Sequence, residues 1–407
     1  MDRGAIGIVG ASLAGLNAAI ELRRRGFSGR LAIFGDEPHR PYDRPPLSKE
    51  MLRGDWQEPD IALRFDEAEL DAEWRLGERV AGLDVDAMTL VLEDGTAEAF
   101  PGGIVIATGA TPRVLPGMAL GGVHVLRTLD DMRALRRDLA KKPVRVAVIG
   151  GGFIGQEVAS SCRAMALDVT MIEAVAPAQH IVGDAVAERL ADWQRRNGVD
   201  VRLGVSVAAL EGHGQVAAVQ MSDGKVIEVD VAVVGIGVEP NTAWLAGSGL
   251  TLQNGVVCDE TCLAAPGIVA AGDVCCWPNA RYGDLRRIEH WDNAVRQGVH
   301  AARRLLASPG MPEFTAPYRP VPWFWSDQYG AKLQLVGSPL HHDEVRIVNG
   351  EGDPDRFLAL YRKGEALSAV FGIKQAKRIL GFRRDLEAGL TWDAGLAALG
   401  LRQDVPG

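Results

Sequence analysis

The chain has 407 residues and a formal net charge of −9, with 47% hydrophobic and 24% charged residues. This composition is typical of a globular protein, and the length exceeds one ordinary core, so we expect about two to four domains. The negative charge argues against nucleic acid as the main partner, because phosphate binding needs clustered cations. No apolar run reaches the roughly 18 residues of a membrane helix, and the first strand begins too early for a signal peptide. We therefore expect a cytoplasmic protein without a membrane partner.

The first chemical motif is a glycine-containing loop at residues 9–15, which follows the apolar run 5–9 and opens a helical stretch. Such a strand–loop–helix unit binds a dinucleotide pyrophosphate through backbone N–H groups and a helix N-terminus. Its middle position is Ser12, which fits a close phosphate less well than glycine. The next predicted strand leads to Asp36 and Glu37, and either carboxylate could accept hydrogen bonds from ribose hydroxyl groups.

A proline-rich segment follows, which reads Pro-Tyr-Asp-Arg-Pro-Pro-Leu-Ser-Lys over residues 41–49. Its prolines restrict the backbone and hold Arg44 and Lys49 at opposite ends of a stiff stretch. Two rigidly placed cations suit a pyrophosphate and an electron-rich ring. The simpler interpretation is a surface loop with solvated charges.

The second glycine loop carries all three glycines of the dinucleotide fingerprint, Gly150, Gly152 and Gly155. The strand after it ends at Glu173, about 20 residues downstream, where a carboxylate binds the adenosine ribose and repels a 2′-phosphate. Residues 174–179 contain no Arg or Lys that would bind that phosphate. The second loop therefore predicts NADH rather than NADPH. Two such loops on one chain predict a flavoenzyme that a nicotinamide reduces.

The two loops open two similar segments, and each segment closes on a buried strand followed by a glycine turn. This weak internal repeat predicts an α/β fold with two Rossmann-like dinucleotide-binding domains, for FAD and for NAD, and a small C-terminal α+β domain. The predicted order is the first part of the FAD-binding domain, the NAD-binding domain, the second part of the FAD-binding domain and the C-terminal domain. These segments cover residues 1–109, 110–238, 239–316 and 317–407.

The cysteines exclude two routes for electrons. They are Cys162, Cys258, Cys262, Cys275 and Cys276. The region after the first loop has no cysteine pair that could pass electrons from a flavin, and five cysteines do not supply an iron–sulfur binding run. We expect reduced thiols and no metal site. Because flavin accepts a hydride and can release single electrons, a one-electron carrier such as a small [2Fe–2S] ferredoxin is the natural partner.

The motifs together resemble the FAD-dependent ferredoxin reductases that serve bacterial aromatic-ring dioxygenases and cytochrome-type monooxygenases. These enzymes belong to the glutathione-reductase-like class, as does apoptosis-inducing factor. The resemblance rests on PYDRPPLSK, the ATG turn, GGGFIGQE, VGIGVEPN and AGDV, and it covers about residues 5–390. It implies an NADH-dependent reductase that passes electrons through FAD to ferredoxin.

The resemblance also implies an ion pair between Lys49 and Glu157 beside the flavin, as the catalytic residues, and an aromatic cover from 323–325. From the sequence alone, Glu157 is predicted to lie in the first turn of the helix that follows the second glycine loop, where the helix dipole favours a carboxylate. Asp273 would bind the ribityl chain and Trp291 would lie against the flavin ring. His180 stands where relatives carry an arginine, and we assign it no role.

The residues implied to bind the two nucleotides fall into two sets. For FAD they are Gly10, Ser12, Leu13, Ala14, Gly15, Asp36, Glu37, Arg44, Lys49, Val80, Ala107, Thr108, Gly109, Arg127, Gly272, Asp273, Trp291 and Trp325. For NADH they are Gly150, Gly152, Ile154, Gly155, Glu173 and Gly237.

Two alternatives stay open at this point. An NADH oxidase or peroxidase of the same fold would need a cysteine near the flavin. A flavoprotein similar to apoptosis-inducing factor would bind both nucleotides but turn over slowly. For the quaternary state we expect a monomer or a weak homo-oligomer.

Overall fold

The computed structural model describes residues 4–141, 144–308, 311–350 and 352–401, which divide into two compact units. The first unit contains the described residues of 1–43, 59–111 and 238–320. The second contains those of 44–58, 112–237 and 321–407. Each unit combines distant parts of the chain, and the four-segment domain division expected from the sequence stays a prediction.

The helices and strands follow in chain order. Up to residue 112 the strands are β1 (Ile6–Val9), β2 (Leu31–Gly35), β3 (Glu73–Leu76), β4 (Val80–Asp84), β5 (Thr89–Leu92), β6 (Ala97–Ala99), β7 (Gly103–Ile106) and β8 (Ala110–Pro112). The helices there are α1 (Leu13–Arg24), α2 (Glu50–Arg53), α3 (Glu58–Ile61) and α4 (Glu67–Leu70).

From residue 113 to 240 the strands are β9 (Val123–His124), β10 (Arg145–Ile149), β11 (Asp168–Glu173), β12 (Asp200–Leu203), β13 (Val207–Gly212), β14 (Val216–Met221), β15 (Val226–Glu228), β16 (Val231–Val234) and β17 (Val238–Pro240). The helices there are α5 (Leu129–Leu139), α6 (Phe153–Ala164), α7 (Gln179–Val182) and α8 (Asp184–Arg196).

Beyond residue 240 the strands are β18 (Val256–Val257), β19 (Leu263–Ala265), β20 (Ile268–Ala270), β21 (Cys275–Asn279), β22 (Asp284–Arg286), β23 (Trp323–Gln328), β24 (Ala331–Gly337), β25 (Glu344–Asn349), β26 (Phe357–Lys363) and β27 (Ala366–Ile373). The helices there are α9 (Trp291–Leu306), α10 (Ala376–Glu387) and α11 (Trp392–Ala397).

The first unit is built around a six-stranded sheet in the order β19-β20-β7-β1-β2-β3. The strands from β20 to β3 are parallel, and β19 is antiparallel. Strands β1, β2, β7 and β20 are buried along their whole length, as the continuous apolar runs in the sequence predict. Helix α1 packs against α9 in this unit.

A buried carboxylate joins these two helices. Glu21 of α1 is 2% exposed and contacts Arg24, Arg25 and Arg303, the last from α9. Burial by itself raises the pKa of Glu21, but hydrogen bonds from the three guanidinium groups outweigh it and lower the pKa from 4.5 to about 2. The Glu21 charge therefore stabilises the folded state above pH 4.5, and this contribution is lost as the pH falls toward 2.

We expect Glu21→Gln to lower the melting temperature at neutral pH and to flatten its fall in acid, because the variant has no carboxylate to protonate. The measurement is thermal unfolding between about pH 7 and pH 3. Glu228→Gln is the control, since Glu228 is 80% exposed in its pair with Arg145. Equal acid profiles for wild type and Glu21→Gln would contradict the expectation.

The second unit contains a parallel sheet and an antiparallel one. The parallel sheet has the order β12-β11-β10-β16-β9, and the antiparallel sheet has the order β23-β24-β27-β26-β25. One face of the antiparallel sheet packs on α8, with Leu333, Leu335 and Phe371 in one core with Leu190 and Trp193. Its other face packs on α10 and α11.

These sheets confirm the predicted α/β fold with two Rossmann-like parts and a C-terminal α+β part. Among the residues that the structure describes, no helix is both long enough and apolar enough to cross a membrane.

Candidate functional site

The first glycine loop joins β1 to α1 in a turn that a larger residue would disrupt. Gly10 has a φ of +123°, and a Cβ there would lie 2.1 Å from the Ala107 carbonyl oxygen. A Cβ on Gly15 would lie 1.9 Å from the Gly10 carbonyl oxygen. Both glycines are thus required by the packing of the loop, which brings the start of α1 against the end of β7.

The N-terminus of α1 is shaped for an anion. Ser12 is the N-cap residue of α1, and its side chain makes no capping hydrogen bond with the N–H groups of the first turn. The first N–H groups of the helix and its dipole then favour a phosphate. A Cβ on Gly298 would lie 2.4 Å from the Ala14 oxygen, and one on Gly272 would lie 3.0 Å from the Ala14 Cβ. The structure therefore brings the Gly272–Asp273 turn to the predicted phosphate loop.

The two carboxylates after β2 differ in their surroundings. Glu37 accepts a 2.5 Å hydrogen bond from the Tyr42 hydroxyl. Asp36 is more open, with 59% of its side chain exposed and its Oδ2 3.5 Å from Arg79. Both stay candidates for the ribose.

Among the other predicted FAD residues of the first unit, Thr108 and Trp291 make hydrogen bonds. The Thr108 hydroxyl donates to the Asn241 carbonyl oxygen at 2.9 Å, and the Asn241 amide donates to the Thr108 carbonyl oxygen at 2.8 Å. Trp291 begins α9 and donates its indole N–H to Asp43 at 2.7 Å. Val80 is buried at the start of β4. Asp43 and Asn241 lie in motifs on which the resemblance rests, but nothing in the sequence assigned a role to either residue.

The predicted ion pair of Lys49 and Glu157 is confirmed within the second unit. Lys49 Nζ lies 2.7 Å from Glu157 Oε2, and the two side chains are 5% and 8% exposed. Helix α6 begins at Phe153 with no acidic residue in its first turn, so the interpretation of Glu157 as a first-turn dipole residue is wrong. The ion pair accounts for its burial instead. Arg44 donates to the Arg127 carbonyl oxygen at 2.7 Å in the same unit.

The second loop has the same two backbone constraints as the first. A Cβ on Gly150, where φ is +101°, would lie 2.3 Å from the Gly235 oxygen, and one on Gly155 would lie 2.1 Å from the Gly150 oxygen. Gly152 is different, because a Cβ there would have no heavy atom within 4 Å and its φ is −62°. The protein itself does not require glycine at 152, and open space at the N-cap of α6 suits a phosphate group.

The carboxylate predicted for the NADH ribose lies at this loop. Glu173 Oε2 accepts a 2.6 Å hydrogen bond from the Gly151 N–H. Ile154, in the first turn of α6, is 46% exposed. Gly237 follows β16 with a φ of +98°, which glycine adopts without strain. The N–H groups at the start of α6, the Glu173 carboxylate and the open position at Gly152 fit a dinucleotide with free ribose hydroxyl groups.

We expect Gly152→Ala to fold as stably as the wild type and yet to bind NADH more weakly. The new methyl group meets no protein atom but occupies space that the phosphate would use, so the Michaelis constant for NADH should rise roughly tenfold or more. Thermal unfolding and steady-state kinetics with NADH measure the two effects. Loss of stability together with an unchanged Michaelis constant would contradict this reading of the loop.

Strand β23 carries the predicted aromatic cover. Trp323 and Trp325 lie on one face with ring centroids 5.0 Å apart, whereas Phe324 points to the other face and packs against Phe153 at 4.6 Å. The cover over a flavin ring stays a prediction. On the same strand, Ser326 donates a 2.6 Å hydrogen bond to Glu157 Oε1, a contact that was not predicted from the sequence. A serine in an aromatic strand is an inconspicuous signal.

The five cysteines are free and buried. Burial raises the pKa of Cys275 well above its ordinary value and that of Cys162 to about 12, which disfavours the reactive thiolate. Cys258 and Cys275 have their sulfurs 3.8 Å apart. Among the described residues, no group of His, Cys, Asp and Glu side chains is arranged to hold a metal ion.

Comparison with known proteins agrees with this geometry. Residues 5–298 match the family model "Pyridine nucleotide-disulphide oxidoreductase", and residues 323–399 match "Reductase C-terminal". The chain is 39% identical to the ferredoxin–NAD(+) reductase component of the p-cumate 2,3-dioxygenase system of Pseudomonas putida, over 88% of this chain and 86% of that protein. It is 37% identical to rhodocoxin reductase of Rhodococcus erythropolis, over 93% of this chain and 88% of that protein.

A solved structure is also similar. The crystal structure of the covalent putidaredoxin reductase–putidaredoxin complex matches with a TM-score of 0.88 and 29% identity, over 94% of this chain and 93% of that chain. The chain belongs to the pyridine nucleotide-disulphide oxidoreductase family, and within it to the ferredoxin reductases that its sequence resembles. It is an oxidoreductase that uses FAD and NAD(H).

Proposed function

We propose that this protein is a cytoplasmic reductase that passes electrons from NADH through FAD to a small [2Fe–2S] ferredoxin, which feeds an oxygenase. The observation that carries the proposal is the presence of two dinucleotide loops, with Gly152 open for a ligand phosphate, in a chain whose relatives are named ferredoxin reductases. The five thiols are buried and form no disulfide, and burial raises the pKa of Cys162 and Cys275, which favours direct transfer to an external acceptor.

Each unit has a role in the proposal. In the first unit, the α1 N-terminus would hold the FAD pyrophosphate, Asp36 or Glu37 would bind its ribose, and Asp273 its ribityl chain. Bound FAD supplies the chemistry that links a two-electron hydride donor to a one-electron acceptor. The protein orients the nucleotides and sets the surrounding charge. The assignment of Arg44, Arg127 and Trp325 to FAD stays a prediction from the resemblance.

In the second unit, the loop at Gly150 would hold NADH, and Glu173 would bind the adenosine ribose. We expect catalytic efficiency with NADH to exceed that with NADPH by roughly a hundredfold, because a 2′-phosphate would meet the Glu173 carboxylate without a compensating cation in 174–179. Steady-state kinetics with both nucleotides measure this ratio. A preference for NADPH would contradict it.

The test of the whole proposal is cytochrome c reduction with the purified yellow protein, NADH and a [2Fe–2S] ferredoxin from a dioxygenase system. We expect a rate that depends on added ferredoxin. A colourless protein that FAD does not reconstitute would overturn the proposal. Fast oxidation of NADH by oxygen at a rate independent of ferredoxin would also overturn it and would favour an oxidase.

A further inference from the structure

Behind the Lys49–Glu157 pair lies a chain of buried polar side chains. Ser326 donates to Glu157 Oε1 at 2.6 Å, and the Gln328 amide donates to the Ser326 hydroxyl at 3.0 Å. The Gln194 amide donates to Gln328 Oε1 at 3.0 Å. None of these residues is more than 1% exposed except Glu157 itself. A buried polar chain of this kind orders its members, because each group that loses its partner stays desolvated.

Gln194 is the branch point of the chain. Its amide group also donates to Gln156 Oε1 at 3.3 Å, and its own oxygen accepts from the Tyr329 hydroxyl. The Gln156 amide in turn donates to the Gly151 carbonyl oxygen at 2.9 Å. Gly151 is the loop residue whose N–H binds Glu173. One hydrogen-bonded path therefore runs from the candidate NADH loop to the carboxylate of Glu157.

The direction of the hydrogen bonds makes Glu157 an end point. Its two oxygens accept from the Ser326 hydroxyl, from the Ser48 hydroxyl at 2.5 Å and from the Lys49 ammonium at 2.7 Å. With Ser326 holding Oε1, Oε2 faces the ammonium and Ser48. Lys49 Nζ also donates to the Pro45 carbonyl oxygen at 2.9 Å, so Ser326 acts on the ammonium through the orientation of the Glu157 carboxylate.

We propose that Ser326 and Gln194 are positioning residues of the reductase, which fix the Lys49–Glu157 pair and join it to the NADH loop. The inference rests on the proposed function, since it concerns the charge that acts on the flavin. Ser326 acts only through Glu157, whereas Gln194 is hydrogen-bonded to Gln328, on the side of Glu157, and to Gln156, on the side of the NADH loop. The two residues should therefore affect different measured quantities.

The first experiment uses Ser326→Ala in the FAD-loaded protein. We expect the rate of flavin reduction by NADH to fall roughly tenfold, the size typical of coupled members of one network, and the flavin midpoint potential to move. Binding of NAD⁺ to the oxidised protein, measured by calorimetry, should stay within about twofold of the wild type. Ser326→Thr, which keeps the hydroxyl, should restore both rate and potential.

The matched control is Ser368→Ala. This variant removes a hydroxyl group from the same sheet, and that hydroxyl donates to the Tyr361 carbonyl oxygen. If Ser326→Ala does not fold, Gln328→Met interrupts the hydrogen-bonded chain one residue further from the Glu157 carboxylate. It should change the flavin reduction rate and midpoint potential in the same direction, by a smaller amount. The role of Ser326 would be overturned if Ser326→Ala had the same flavin reduction rate and midpoint potential as Ser368→Ala. If Gln328→Met is used in place of Ser326→Ala, the same comparison applies to it.

The second experiment uses Gln194→Met. We expect weaker NAD⁺ binding as well as slower flavin reduction, and at saturating NADH the double variant Gln194→Met/Ser326→Ala should reduce flavin no more slowly than Ser326→Ala alone. Additive losses would overturn the single path. A wild-type protein without bound flavin, or one that NADH does not reduce, would instead refute the proposed function, so the two failures are distinguishable.

Discussion

Gly15→Ala should yield a protein without bound FAD. The added methyl group would lie 1.9 Å from the Gly10 carbonyl oxygen, a distance that no Cβ tolerates, so the loop and the first turn of α1 must separate. The N–H groups at the helix start would then no longer converge on a phosphate. We expect a colourless preparation that added FAD does not restore, measured by the flavin absorbance per chain.

The control for this prediction is Gly381→Ala in α10. A Cβ there would meet no heavy atom within 4 Å, and its backbone lies in a helix. This variant should bind FAD normally and gain up to about 1 kcal/mol of stability, since alanine loses less backbone entropy than glycine. A yellow Gly15→Ala protein with wild-type flavin content would contradict the assignment of the first loop.

Lys49→Met should have the largest effect on the stability of the second unit. The substitution keeps an apolar stem but leaves the Glu157 carboxylate buried with two hydroxyl donors and no cation. Removal of one partner of a buried pair costs about 3–5 kcal/mol, and the hydroxyl groups favour the lower end. We also expect slower flavin reduction or weaker FAD binding. Urea unfolding of the FAD-loaded protein and anaerobic stopped-flow reduction measure these effects.

Two further variants separate the causes. Lys49→Met combined with Glu157→Leu should recover much of the lost stability, because an apolar pair leaves no charge unpaired, but it should not recover the rate. Lys374→Met removes a cation from an exposed pair with Asp353, 39% and 36% exposed, and should change stability by less than about 1 kcal/mol. If Lys49→Met behaves like Lys374→Met, the buried pair contributes little.

The glycine loops and the buried parallel strands could be predicted from the sequence because their causes are local. A loop that turns sharply beside a neighbouring strand needs glycine at positions such as Gly10 and Gly150, and a strand covered on both faces needs a continuous apolar run. The cofactor class followed from these patterns. The ion pair of Lys49 with Glu157 was predicted only through the resemblance, since its members lie 108 positions apart in the chain.

The sequence by itself therefore determined the two nucleotide-binding folds and pointed to the carboxylate that we predict to select NADH, since each depends on residues near one another in the chain. Only the tertiary structure decided the surroundings of Glu157. Ser326, Gln194 and Gln328 look like ordinary polar residues until folding buries them in one unit with residues 44–58. Desolvation then makes every one of their hydrogen bonds obligatory, and that physical cause has no signature in local sequence.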